Sequence, residues 1–196
     1  MCTEPVVTAV IDDDAVLVRS CLAGEQPALR AFVERFQSSV FGVCFRMLGH
    51  REDAEDVAQD VFLRAFRSLK SWDSDRPLKP WVLAIAANRC RTALSQRSRR
   101  PAVVEFVAEA ALSVETPGSA DLAEELERAL ETLRDEYRMC FVLFYQQELS
   151  CSEIGAILNC PEGTVKTWLH RARRELAEHL RQRGIVPHRA HELHRI

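Results

Sequence analysis

One stretch of this chain, residues 54–69, limits its fold more than any other. Its apolar residues recur with spacings of three, one, three, one, three, one and three, at Ala54, Val57, Ala58, Val61, Phe62, Ala65, Phe66 and Leu69. This spacing matches one face of an α-helix and predicts an amphipathic helix of about five turns. The other face begins with a dense run of acidic and amide side chains, Glu52, Asp53, Glu55, Asp56, Gln59 and Asp60. An apolar stripe of this kind has to be buried against another element of the fold.

Further helical runs flank this stretch. We expect a helix that is capped by Asp12–Asp14 and ends near Gly24, then a second helix that stops at Gly49. Two prolines interrupt the pattern after the stripe, so we predict a loop over residues 71–79 and a further helix that begins at Pro80. The composition is 47% hydrophobic with only 7 glycines and 8 prolines, which favours an all-α fold over a turn-rich β protein.

The helical pattern divides the chain into two parts. We predict a first domain over residues 12–98 and a second, with three or four helices, over residues 121–183. The periodicity fails over residues 99–120, which we interpret as a flexible linker. The last segment, residues 184–196, has no apolar period and is predicted to be a mobile tail.

The second domain contains a helix-turn-helix pattern. Ser150 and Glu153 form a capping box that starts a short helix, and a turn at residues 159–161 leads into a longer basic helix. In this longer helix Val165, Leu169, Ala172 and Leu176 can face inward. The outward residues are then largely Lys166, Thr167, His170, Arg171, Arg173 and Arg174. In a helix-turn-helix the second helix lies in the major groove of DNA, which favours DNA binding over a solvated structural helix.

The overall charge does not exclude this prediction, although the formal net charge is −3 and the pI about 6.1. Charge is segregated along the chain: acidic runs lie at residues 52–56 and 121–136, and basic runs at residues 89–100 and 166–183. Local patches matter more than the total for DNA binding, so one chain can offer an acidic face to a basic protein and a basic face to DNA.

The cysteines and the hydropathy pattern indicate a soluble protein of the cytoplasm without membrane insertion. The 7 cysteines are scattered singly, which argues against a secreted disulfide scaffold, and no run approaches 18 apolar residues. We find no nucleophile–base pair, phosphate-binding loop or metal-spaced carboxylate set, and therefore expect neither an enzyme nor a cofactor or metal site.

Three segments together resemble the extracytoplasmic-function sigma factor family. Residues 53–63, DAEDVAQDVFL, resemble that family's polymerase-binding helix, and residues 80–88, PWVLAIAAN, resemble its helix that recognises the minus-ten promoter element. Residues 163–173, GTVKTWLHRAR, resemble its minus-thirty-five recognition helix. Order and spacing agree over about residues 12–180. Leu78, where an aromatic is common, and Trp168, where a polar or basic residue is usual, depart from the family pattern.

The resemblance implies a sigma factor that brings core RNA polymerase to promoter DNA and is held inactive by an anti-sigma factor. The acidic face named above would dock on the clamp helices of the polymerase's largest subunit, and the chain would also contact the flap region. Minus-ten contacts would come from Lys79, Asn88, Arg89, Arg91 and Arg97, and minus-thirty-five contacts from the outward residues of the basic helix. Trp168 could contact a thymine methyl, pack on a backbone sugar, or fill a gap against a short helix expected within the linker near residues 104–112.

Two other functions are compatible with parts of the sequence. A stand-alone regulator that binds an operator as a dimer would need only the second domain and would leave the acidic helix unexplained. Direct sensing would use Cys151 and Cys160 or the tail histidines His188, His191 and His194, for which a solvated tail is the simpler interpretation. Cys21, Cys44 and Cys140 lie on apolar stripes and are expected in the core.

Overall fold

The structure is a computed structural model that describes residues 4–99 and 119–185, and all regular structure in these ranges is helical. The α-helices are α1 (Glu4–Leu22), α2 (Gln26–Leu48), α3 (Arg51–Ser68), α4 (Leu78–Arg99), α5 (Ser119–Thr132), α6 (Asp135–Tyr145), α7 (Cys151–Leu158) and α8 (Glu162–Gln182), with a 3-10 helix at Leu69–Ser71. The all-α prediction is confirmed. Most of the predicted linker and tail, residues 100–118 and 186–196, lies outside the described residues.

The apolar stripe of residues 54–69 is the inward face of α3, as predicted. Ala54, Ala58, Val61, Ala65 and Leu69 are buried, while Val57, Phe62 and Phe66 are partly buried against the same core. The fully buried Phe32 of α2 faces this stripe, with its ring centroid 5.2 Å from Phe66 and 6.4 Å from Phe62. Helix α2 ends at Gly49, whose φ of 75° lies in the left-handed region that glycine tolerates without strain.

Two predicted helix boundaries in the first domain are wrong. Helix α1 begins at Glu4 and runs through Asp12–Asp14, so these aspartates are not N-caps of their own helix. Helix α4 begins at Leu78 rather than Pro80. Asp14 Oδ2 accepts a hydrogen bond of 2.8 Å from the Leu78 amide, so this buried carboxylate caps a helix 64 residues away. Pro80 falls in the first turn of α4, where its missing N–H is not needed.

The second domain holds the predicted helix-turn-helix in α7 and α8. Ser150 and Glu153 form the expected capping box, and the four apolar residues predicted to face inward from α8 are all buried. Asn159 ends α7 in the left-handed conformation, and the Gly155 carbonyl accepts from the Cys160 amide at 3.0 Å. A Cβ on Gly155 would lie 2.8 Å from the Cys160 carbonyl oxygen, so only glycine permits this tight turn.

The two domains pack directly on each other. Buried residues of α6, α7 and α8, among them Leu143, Ile154 and Leu169, belong to the same cluster as the core of α2, α3 and α4, which we call the main cluster. Helix α7 packs on α4, and the Lys79 ammonium donates to the Gln147 carbonyl at 2.8 Å. An ion pair of 2.6 Å joins Arg46 of α2 to Glu127 of α5.

Candidate nucleic-acid and polymerase interface

The outer face of α8 carries the predicted minus-thirty-five residues. All six are exposed. The Thr167 hydroxyl donates to the Gly163 carbonyl of its own helix at 2.9 Å. Lys166 pairs with Glu162 one turn earlier at 2.6 Å, and this hydrogen-bonded carboxylate raises the pKa of Lys166 above its usual value. His170, Arg173 and Arg174 share the exposed surface, so the helix presents one largely basic face.

Arg171 has a partner on another helix that its sequence context does not predict. Its Nη1 donates to the Tyr137 hydroxyl of α6 at 3.0 Å. Tyr137 belongs to a second buried cluster, formed with Ala129, Leu130, Leu133, Ala172 and Leu176. No sequence signal links two residues 34 positions apart on different helices, so only the packing of α6 on α8 reveals this contact.

Trp168 is half-buried and packs against both the main cluster and the second cluster. This position favours a packing role for Trp168. The linker helix, against which the packing was expected, lies outside the described residues. The indole joins the two clusters behind the exposed face of α8.

The predicted minus-ten residues of α4 separate into two groups. Asn88 and Arg91 are exposed, and Arg91 Nη1 lies 3.4 Å from Asn88 Oδ1, so these two form a polar pair on one face. The other three have intramolecular partners: Arg89 pairs with Asp60 of α3, Arg97 bonds the Leu48 carbonyl and His50, and Lys79 bonds Gln147. Trp81 is partly buried against the main cluster, which agrees with a packing role.

The acidic face of α3 is exposed along most of its length. Glu52, Asp53, Glu55, Asp56 and Gln59 are exposed, and Leu63 continues the same face with 54% exposure. Asp60 differs because it turns towards α4. Partial burial raises the pKa of its carboxyl, but the ion pairs with Arg64 and Arg89 outweigh that effect and leave the pKa below its usual value.

The cysteines expected in the core are buried, namely Cys21, Cys44 and Cys140. Cys90 is also buried, with its Sγ 3.8 Å from that of Cys44. Cys151 and Cys160 are partly buried, and the three tail histidines lie outside the described residues. In the described ranges no set of potential ligands could hold a metal ion, and no helix has the length and apolar character that a membrane crossing requires.

Two family models match the two halves of the chain. Residues 32–100 match Sigma-70 region 2 and residues 123–176 match Sigma-70, region 4. The first match covers the acidic face of α3 and the Asn88–Arg91 pair, and the second covers the helix-turn-helix and its basic face. The fold and these surfaces thus define a two-domain protein of the sigma-70 class.

Curated relatives narrow this class. The chain is 33% identical over 179 residues to the ECF RNA polymerase sigma factor SigW of Bacillus subtilis, a match that covers 84% of this chain and 95% of that protein. It is 34% identical over 173 residues to the ECF RNA polymerase sigma-E factor of Escherichia coli K12, covering 82% of this chain and 90% of that protein. The chain belongs to the family of extracytoplasmic-function RNA polymerase sigma factors.

Solved structures support the same fold. A structure of CnrH in complex with the cytosolic domain of CnrY matches with a TM-score of 0.66 and 23% identity, covering 85% of this chain and 96% of that one. The sigma factor RpoE in complex with the anti-sigma factor NepR from Bartonella quintana matches with a TM-score of 0.66 and 25% identity, covering 78% of this chain and 96% of that one.

Proposed function

We propose that this sigma factor binds core RNA polymerase through the acidic face of α3 and binds promoter DNA through α4 and α8. The observation that carries the proposal is the presence of two opposite surfaces in one chain. One is an exposed carboxylate-rich face on the first domain, and the other is an exposed basic face on a helix-turn-helix.

The acidic face suits a basic protein partner. Glu52, Asp56 and Gln59 follow one another at helical spacing, and the exposed Leu63 extends the row with an apolar side chain. Complementary charge sets register and association rate, whereas a desolvated apolar anchor slows dissociation. The carboxylates and the apolar side chain on one exposed face together support docking on the clamp helices of the polymerase.

The minus-ten contact is proposed for the Asn88–Arg91 pair. An exposed amide can hydrogen-bond the edge of an unstacked base, and an adjacent guanidinium can hold the neighbouring phosphate. Since Arg89, Arg97 and Lys79 have partners within the chain, their contact with DNA would require those bonds to exchange. We therefore assign the first contact with the melted strand to Asn88 and Arg91.

The closed packing of the two domains has a consequence for promoter binding. The minus-ten and minus-thirty-five elements lie roughly 25 base pairs apart, which is about 85 Å along B-DNA at about 3.4 Å per base pair. Helix α4 touches α7, which adjoins the recognition helix α8, so the closed chain cannot reach both elements at once. We infer that the domains separate when polymerase binds, breaking the Lys79–Gln147 and Arg46–Glu127 contacts.

This separation can be measured by fluorescence resonance energy transfer between dyes on Gln37 and Gln182, which are exposed positions on the two domains. The efficiency of energy transfer should fall when core polymerase is added. It should recover when a competing sigma factor displaces the labelled chain. Unchanged transfer in a complex that transcribes would contradict the inferred opening.

Control by an anti-sigma factor in the cytoplasm completes the proposal. The structure of RpoE that resembles this chain was solved with the anti-sigma factor NepR. An inhibitor of this type would cover the acidic face of α3 or hold the domains together, and either action would block the polymerase.

The central experiment is run-off transcription by purified chain and core polymerase, together with core-binding titrations. Asp56→Lys should weaken core binding at least about 10-fold, because like charges placed against each other at an interface are costly. Glu34→Lys, the same charge change at an exposed site on α2, is the matched control and should bind normally. A stand-alone operator-binding regulator would instead bind its DNA without polymerase. Asp56→Lys and Glu34→Lys would then bind that DNA equally well.

A further inference from the structure

The hydrogen bond between Arg171 and Tyr137 gives one side chain on the basic face a fixed support. Tyr137 is only 5% exposed, and its ring lies among the apolar residues of the second cluster. The Arg134 guanidinium lies over the same ring, 5.9 Å from its centroid. The hydroxyl therefore projects from a packed ring and lies 3.0 Å from Arg171 Nη1.

This support leaves Arg171 able to contact DNA. The residue is exposed, and an arginine has five N–H donors, of which the tyrosine hydroxyl uses one. A long side chain loses rotamer freedom when it binds, and a side chain held beforehand loses less. Lys166, by contrast, pairs with Glu162, a carboxylate that is itself exposed on the same helix. Arg171 is thus the preorganised donor of this pair, and its planar fork suits the O6 and N7 atoms of guanine.

We propose that Tyr137 is a positioning residue for minus-thirty-five recognition, holding Arg171 in the orientation that contacts a guanine edge. The inference rests on the proposed function, since it assumes that α8 enters the major groove. It adds a specificity determinant that lies outside the helix-turn-helix, on the preceding helix α6.

The test is Tyr137→Phe in the full chain, assembled with core polymerase and titrated against a promoter panel with single-base changes across the minus-thirty-five element. Phenylalanine keeps the ring and removes only the hydroxyl. Affinity for the preferred promoter should fall about 2- to 12-fold, the cost of ordering one free side chain. Discrimination at one base pair should shrink by the same factor, while the salt dependence stays unchanged because no phosphate contact is lost.

Tyr145→Phe is the matched control, since this tyrosine is exposed and its ring lies against Phe141 and Phe144. It should change neither affinity nor discrimination. Thermal unfolding of both variants is compared with that of the parent, and in the Arg171→Ala background Tyr137→Phe should have no further effect on DNA binding.

Three outcomes would overturn the inference. The first is that Tyr137→Phe lowers the affinity for every promoter of the panel equally. The second is that it lowers the affinity by the same factor in the Arg171→Ala background. Either result would show that the hydroxyl acts through the fold alone. The third is that Arg171→Ala discriminates between minus-thirty-five bases as well as the parent does, while the parent holoenzyme still prefers its promoter. That result would show that another residue contacts the base. A parent holoenzyme without any promoter preference would instead refute the proposed function itself.

Discussion

Replacement of Asp14 should destabilise the first domain, because its buried carboxylate serves two partners. Its side chain is 1% exposed, lies 2.5 Å from Arg35 Nη2, and accepts the Leu78 amide at 2.8 Å. In Asp14→Ala the buried Leu78 amide loses its acceptor, which costs about 1–3 kcal/mol. Loss of the ion pair with Arg35 adds less, about 1 kcal/mol, because Arg35 is one-third exposed and regains water. We expect a total loss of about 2–4 kcal/mol in the free energy of unfolding.

The neighbouring Asp13 provides a matched control. It lies 3.3 Å from the same Arg35, but its side chain is 77% exposed, so Asp13→Ala should cost at most about 0.5 kcal/mol. Asp14→Asn should fall between the two, since it keeps an acceptor for the Leu78 amide and loses the charge. Urea unfolding followed by circular dichroism and tryptophan fluorescence measures all three variants. Losses for Asp13→Ala and Asp14→Ala that agree within about 0.5 kcal/mol would refute the capping role of Asp14.

Further predictions concern the turn and the minus-ten face. Gly155→Ala should destabilise the second domain by about 1–3 kcal/mol, because its methyl group meets the Cys160 carbonyl oxygen. Gly163→Ala, in open space at the start of α8, should instead stabilise it by up to about 1 kcal/mol. Thermal unfolding distinguishes the two variants. A change in stability of the same sign in both would contradict the steric argument. Asn88→Ala and Arg91→Ala should slow open-complex formation more than initial promoter binding, and normal permanganate reactivity of the melted strand in both variants would contradict their assignment.

The amino-acid sequence by itself determined the buried and exposed faces of α3 and α8 and the start of α7. The spacing of residues 54–69 defines the buried side of α3, and the capping box at Ser150 defines the start of α7. The inward residues of α8 follow from the same period. These features depend on neighbours within a few positions, where helix geometry fixes which side chains share a face. The predicted exposure of the charged residues on α3 and α8 follows from that geometry as well.

Tertiary structure decided which charged and polar groups meet across the fold. Asp60 is an acidic residue of α3 by sequence, yet it pairs with Arg89 of α4, and Lys79 bonds the second domain. Asp14 caps α4 from α1, and Tyr137 holds Arg171 from another helix. Sequence periodicity assigns a side chain to a face but not to a partner, because partners are chosen by how the helices pack. Contacts between residues 29 to 68 positions apart, such as these, arise only when the apolar faces have come together.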